Sequence, residues 1–139
     1  HVMVEINLTS NDAILGVFGD EHPFPIYHQF HVPMALSTDD EGVSRINLTH
    51  EFVRAVETYN LTYSELKELV RTGLEHSFLA GDSLWRERDN FRAPAAACAR
   101  EALGGENPKA ACAEFLKGSE KAAQQWELEA RFRQFESQF

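Results

Sequence analysis

Two strand-like runs joined by a connection of moderate length constrain this chain more than any other feature. In the first, Val2 to Leu8, the residues Val2, Val4, Ile6 and Leu8 alternate with Met3, Glu5 and Asn7, which is the period of a strand. The second, Val32 to Ser37, is largely apolar, as expected of a strand covered on both faces. The runs begin about 30 residues apart. That spacing suits a βαβ unit, in which a right-handed crossover joins two parallel strands. Within the connection, Thr9 to Asp12 reads as a polar turn and "GVFGDEHPFP" as a loop punctuated by Gly and Pro. Ile26 to Phe30 reads as a short helix. The expected class is α/β.

Beyond "DDEGVSRI" the apolar period changes. Leu48, Phe52, Val53, Val56 and Tyr59 share one helical face, and Leu66, Leu69, Val70, Gly73 and Leu74 share another. The first of these helices is expected to start near Asn47. The second starts near Thr62, where Thr62 and Glu65 have the spacing of a capping box. "LAGDSLWRERDNFRAP" is irregular. Ala-rich helices are expected over Pro94 to Leu103 and Pro108 to Gln138, separated by "GGEN", with Pro suited to each first turn. This tail differs in composition from the front and reads as a helical extension.

The 139 residues carry a net charge of −9. That argues against nucleic acid, whose phosphates need basic patches, and against anionic membrane surfaces. No apolar run approaches the roughly 20 residues of a membrane-spanning helix. The chain opens "HVMVEINL", directly in a strand-like run without Met, and the expectation is that a longer protein precedes it. Cys98 and Cys112 fit no zinc or redox spacing. They are either two small buried residues or a disulfide across a helical hairpin, which would imply an oxidising compartment.

The chemistry concentrates in "HVPMALSTDDEGVSR", where Asp39, Asp40 and Glu41 follow the second strand. Adjacent acids suit a turn or a helix start. They also stand at the carboxyl end of a parallel strand, where such folds gather ligands. A carboxylate is a proper oxygen ligand for Zn²⁺. With Asp39 kept ionised by a metal, Asp40, beside that negative charge and partly dry, could be pushed towards its protonated form, and a protonated carboxyl can donate to a ring nitrogen. His28 and His31, three apart, form an incomplete metal set, and the sequence has no H-x-H, H-E-x-x-H or C-x-x-C. Ser37 lacks the G-x-S-x-G context of a nucleophile. Of three Asn-x-Thr sequons, that at Asn7 falls at a strand end, and those at Asn47 and Asn60 fall at expected helix starts, where capping explains them without sugar.

"VEINLTSNDAILGV", "HPFPIYHQFHVPMALSTDDEGVSR" and "LTHEFVRAVETYNLTYSELKELVRTGLEHSFL" together resemble the carboxyl-terminal part of the adenosine deaminase family, zinc-dependent amidohydrolases built on a (β/α)₈ TIM barrel. The resemblance covers about residues 2 to 85. It implies that Val2 to Leu8 is the seventh barrel strand and Val32 to Ser37 the eighth. Residues 1–88 would then be the carboxyl-terminal part of a barrel and 89–139 a helical extension. By the same match Asp39 corresponds to the zinc-ligand aspartate and Asp40 to the aspartate that contacts the purine's nitrogen 7. The family's H-x-H pair on the first strand, His on the fifth, Glu after the fifth and His after the sixth lie outside this chain. His1 precedes the seventh strand and does not correspond to the catalytic His. The family's usual run is D-D-P. Here Glu41 replaces the Pro, and Arg45 follows, which leaves the substrate open.

The resemblance implies a hydrolase that converts adenosine or deoxyadenosine to inosine and ammonia. The partners it implies are a purine nucleoside and the remaining part of the barrel, and the chain alone would be inactive. The alternatives are a deaminase of a related aminopurine (a nucleotide, a free base or a modified adenosine) or a noncatalytic helical interaction module. The compartment is left open between the cytoplasm and a periplasmic or secreted location.

Overall fold

The computed structural model describes residues 2–139; His1 lies outside them. The described elements are β1 (Val4–Ile6), α1 (Leu8–Leu15), α2 (Phe24–Gln29), β2 (Met34–Leu36), α3 (Glu41–Ser44), α4 (Leu48–Tyr59), α5 (Tyr63–Glu75), α6 (Ala110–Gly118) and α7 (Glu120–Glu136). Two 3-10 turns, Gly19–Glu21 and Ala96–Cys98, complete the set. The chain divides into two compact units, one ending at Gly73 and the other Leu74–Phe139.

In the first unit β1 and β2 pair in parallel, with Val4 opposite Met34 and Ile6 opposite Leu36. All three residues of β2 are buried, in keeping with its continuous apolar run. The core gathers Ile6, Leu8, Phe24, Met34, Leu36, Ala55, Leu61 and Leu69. Phe52, Val56 and Tyr59 of α4 pack against it, whereas Leu48 and Val53 stay exposed. The inner face is therefore narrower than the apolar pattern suggests. Gly73 also belongs to the packing, since a methyl there would lie 3.2 Å from the Ala35 side chain.

Both strands are shorter than their sequence patterns. β1 stops at Ile6, and the expected turn Thr9 to Asp12 lies inside α1. Leu8 still enters the core, as the first residue of a helix rather than the last of a strand. Gly16, left-handed at φ 68°, ends α1 by donating its amide to the Asp12 carbonyl. Asn47 caps α4 as expected, its side chain accepting from the His50 amide at 3.0 Å. Asn60 does not start a helix. It ends α4 in the left-handed region at φ 54°, which Asn tolerates better than most residues. The capping box forms: the Thr62 amide donates to Glu65 Oε2 at 2.6 Å, and the Glu65 amide donates to Thr62 Oγ1 at 3.3 Å.

The second unit has its own core, with Leu84, Trp85, Phe91, Cys98, Cys112, Ala122 and Trp126. The expected helix over Pro94 to Leu103 reduces to the 3-10 turn Ala96–Cys98. Its amino end is drawn into pairing instead: Ala95 donates to the Leu84 carbonyl and Arg86 to the Ala93 carbonyl, both at 2.7 Å. Cys98 is bonded to Cys112, so the disulfide is the alternative that holds. The expected helix from Pro108 is two helices, α6 and α7, divided at Ser119. Ser119 Oγ caps α7 by accepting from the Ala122 amide and itself donates to the Asp82 carbonyl at 2.6 Å. Gly104 in "GGEN" stands at φ 68° against α7, where a methyl group would collide with the Ala130 backbone nitrogen.

Candidate active site

The level parallel register brings two polar sequences to one edge of the sheet. Thr9, Ser10 and Asn11 open α1 just beyond β1, and Ser37 to Asp40 follow β2. The Ser37 amide donates to the Ile6 carbonyl at 2.9 Å, which carries the pairing one residue past β2.

Asp39 adopts a left-handed backbone at φ 54°, which non-glycine residues enter at a cost and which often marks functional turns. Its carbonyl accepts from the Glu41 amide at 2.9 Å, and its own amide donates weakly to Ser37 Oγ at 3.4 Å. Its side chain is exposed but not free: Ser10 Oγ donates to Asp39 Oδ2 at 2.7 Å. Ser10 is itself buried, so the tether comes from a fixed point. Asp40 occupies the N-cap position of α3 without a side-chain capping bond. Its carbonyl receives the Val43 and Ser44 amides, and its exposed carboxylate is left to face solvent. Glu41 opens α3, as an acid at a helix start does.

A second layer of polar contacts holds the turn that carries Ser10. The Thr9 amide donates to Glu51 Oε2 at 3.3 Å, Arg54 donates to Thr9 Oγ1 at 3.3 Å, and Arg54 also pairs with Asp12. The sequence reading assigned no role to Ser10, Glu51 or Arg54. A signal for Glu51 exists, because it stands four residues before Ala55, one turn along the same helical stripe.

His28 and His31 form no metal site with Asp39 and Asp40 among the described residues. His28 Nε2 faces Glu65 Oε1 at 3.1 Å, while His31 lies beyond α2 at φ 52°. His22 is buried, with Nδ1 accepting from the Phe24 amide, and burial, then the Arg54 charge, lowers its pKa. Among the described residues no three His, Cys, Asp or Glu side chains come together as a metal site.

A parallel α/β unit with paired acids at its strand ends defines the class. The adenosine deaminase family profile matches residues 1–90. The chain belongs to the adenosine deaminase family. It is 39% identical over 59 residues to an adenosine deaminase of Clostridium perfringens (strain ATCC 13124), covering 42% of this chain and 18% of the relative. It is 32% identical over 83 residues to the N6-Methyl-AMP deaminase-L of Xenopus laevis, covering 59% of this chain and 24% of the relative. The matches thus span about a fifth of the length of the curated relatives. No solved structure matches the chain.

Proposed function

We propose that this chain is the closing part of a zinc-dependent deaminase that hydrolyses the 6-amino group of adenosine or deoxyadenosine, giving inosine and ammonia. In this reading β1 and β2 are the last two strands of a (β/α)₈ barrel, residues 1–88 complete it and residues 89–139 form an extension. The observation that carries it is the placement of Asp39 and Asp40 at the carboxyl end of β2, with Asp39 tethered by Ser10 from the end of the neighbouring parallel strand.

The residues present fit one share of a metal site. Asp39 offers a solvent-facing carboxylate on a fixed turn, an appropriate oxygen donor for zinc. The other ligands would come from outside these residues. Zinc, when bound, supplies the Lewis acidity that makes water nucleophilic near neutral pH. Ser10 holds Asp39 in one orientation, leaving its other oxygen available. Asp40, uncommitted to capping, would take the purine ring at nitrogen 7 and fix its plane.

The substrate has a second reading. Similarity to an N6-Methyl-AMP deaminase-L extends over more of this chain than the Clostridium match does, and Glu41 replaces the usual Pro. Both favour a related aminopurine, such as a nucleotide or an N6-substituted adenosine.

The test is zinc analysis and parallel deamination assays on the longer protein that contains this chain, with adenosine and N6-methyl-AMP as substrates. About one zinc per chain and activity abolished by Asp39→Ala are expected. A protein that binds no zinc and deaminates neither substrate nor any other 6-aminopurine overturns the reading. The 139-residue chain alone is expected to be inactive; measurable turnover by it would refute that part.

A further inference from the structure

Glu51 has no exposed surface. Its Oε2 accepts from the Thr9 amide, and its Oε1 has no partner among the described residues. A buried carboxylate so poorly supplied with donors works against stability. A glutamine of the same shape would keep the acceptor for Thr9 and remove the charge. The carboxyl group is directed at the first turn of α1, whose amides present the positive end of the helix. Asn7, at the N-cap of that helix, contributes no side-chain capping bond. Arg54, less than one turn beyond Glu51 on α4, binds the same turn through Thr9 Oγ1 and Asp12. The residue after Thr9 is Ser10, which holds Asp39.

We propose that Glu51 is a positioning residue for Asp39, acting through the Thr9 amide and the Ser10 hydroxyl. It fixes where the first turn of α1 stands, and through Ser10 it fixes which way the Asp39 carboxylate points. The inference rests on the deaminase reading above. Second-sphere partners of metal ligands commonly govern affinity and turnover in this way.

The experiment compares wild type, Glu51→Gln and Glu51→Asp in the longer protein, measuring kcat, KM, zinc affinity by chelator competition and melting temperature. Glu51→Gln is expected to melt at or above the wild-type temperature, with kcat and zinc affinity lowered several-fold, less than the roughly tenfold loss expected when Ser10 itself is removed, and KM little changed. Glu51→Asp, which keeps the charge on a shorter stem, is expected to recover part of the loss. Wild-type kcat and zinc affinity in a folded Glu51→Gln overturn the inference and leave the deaminase reading standing. A merely structural role would show as a lowered melting temperature with normal turnover per folded molecule, and it overturns the inference equally. If Glu51→Gln does not fold, Glu51→Asp decides: lowered kcat and zinc affinity support the inference, and wild-type values overturn it. A wild type without zinc or deamination overturns the reading and the inference together.

Discussion

Ser10 Oγ donates a hydrogen bond to Asp39 Oδ2 at 2.7 Å, joining residues that stand 29 apart in the chain. The bond ties the end of one parallel strand to the end of the next, at the edge where this architecture places ligands. Ser10 is buried and Asp39 exposed, so the serine is the fixed partner and the aspartate the one being oriented.

Replacing Ser10 with Ala should therefore affect orientation more than folding. An exposed carboxylate regains water when its partner is lost, so the stability change should be about 1 kcal/mol. In the longer protein zinc affinity should fall roughly tenfold, as when a second-sphere partner is removed. Chelator competition on Ser10→Ala measures it, and an unchanged affinity would remove Ser10 from the site.

The disulfide gives a prediction confined to the second unit. Cys98 and Cys112 are fully buried and bonded, at a sequence separation of 14. A loop of that size should contribute about 3 kcal/mol. Both tryptophans, Trp85 and Trp126, lie in the same core, so intrinsic fluorescence reports on this unit. Urea unfolding followed by tryptophan emission should shift to markedly lower urea in a Cys98→Ser, Cys112→Ser double variant. An unchanged midpoint would mean that the bond does not hold the unit. Such a bond persists in an oxidising compartment.

The parallel pairing was legible because alternation in Val2 to Leu8 and continuity in Val32 to Ser37 report burial directly. The start of α1 was not, because Thr9, Ser10, Asn11 and Asp12 carry the side chains of a turn, and the helix they open is held by contacts from Glu51 and Arg54, distant in sequence. Asn60 misled for a related reason, since Asn suits both ends of a helix. The Ala-rich stretch after Pro94 failed as a helix because strand-like pairing with residues 84 to 86 takes its amino end. Asp39 and Asp40 stand out by their position at the end of one strand. Ser10 and Glu51 act across 29 and 42 residues of sequence, a relationship that no local pattern carries.

The capping box on α5 predicts a pH dependence. Glu65 accepts from the Thr62 hydroxyl and amide, and these bonds outweigh the cost of burial and, with the His28 charge as a lesser contribution, hold its pKa below the usual glutamate range. A depressed folded pKa means stabilisation that is fully present above the unfolded value and lost as pH falls through the folded one. The α5 start should thus hold at neutral pH and loosen only under acid conditions. Carboxyl NMR titration should find Glu65 below its ordinary range in the wild type and closer to it in Thr62→Ala. Equal values in the two proteins would assign the shift elsewhere.

Glu41 offers the sharpest test of how the two aspartates divide their work. Its amide donates to the Asp39 carbonyl at 2.9 Å across the left-handed turn, a bond that the proline of the usual D-D-P run lacks the hydrogen to make. Proline is well suited to the first position of a helix, so Glu41→Pro should change stability by no more than about 1 kcal/mol. It would also restrict the residue before it. Asp40 now stands at ψ 72° and would be driven towards a more extended backbone. The Ser10 tether on Asp39 does not pass through residue 41, so zinc affinity should hold while the carboxylate of Asp40 moves. The expected result in the longer protein is a KM for the aminopurine altered several-fold, with metal binding unchanged. A parallel loss of both would mean that the turn positions the two acids as one unit. In that case the separate roles proposed for Asp39 and Asp40 would have to be given up.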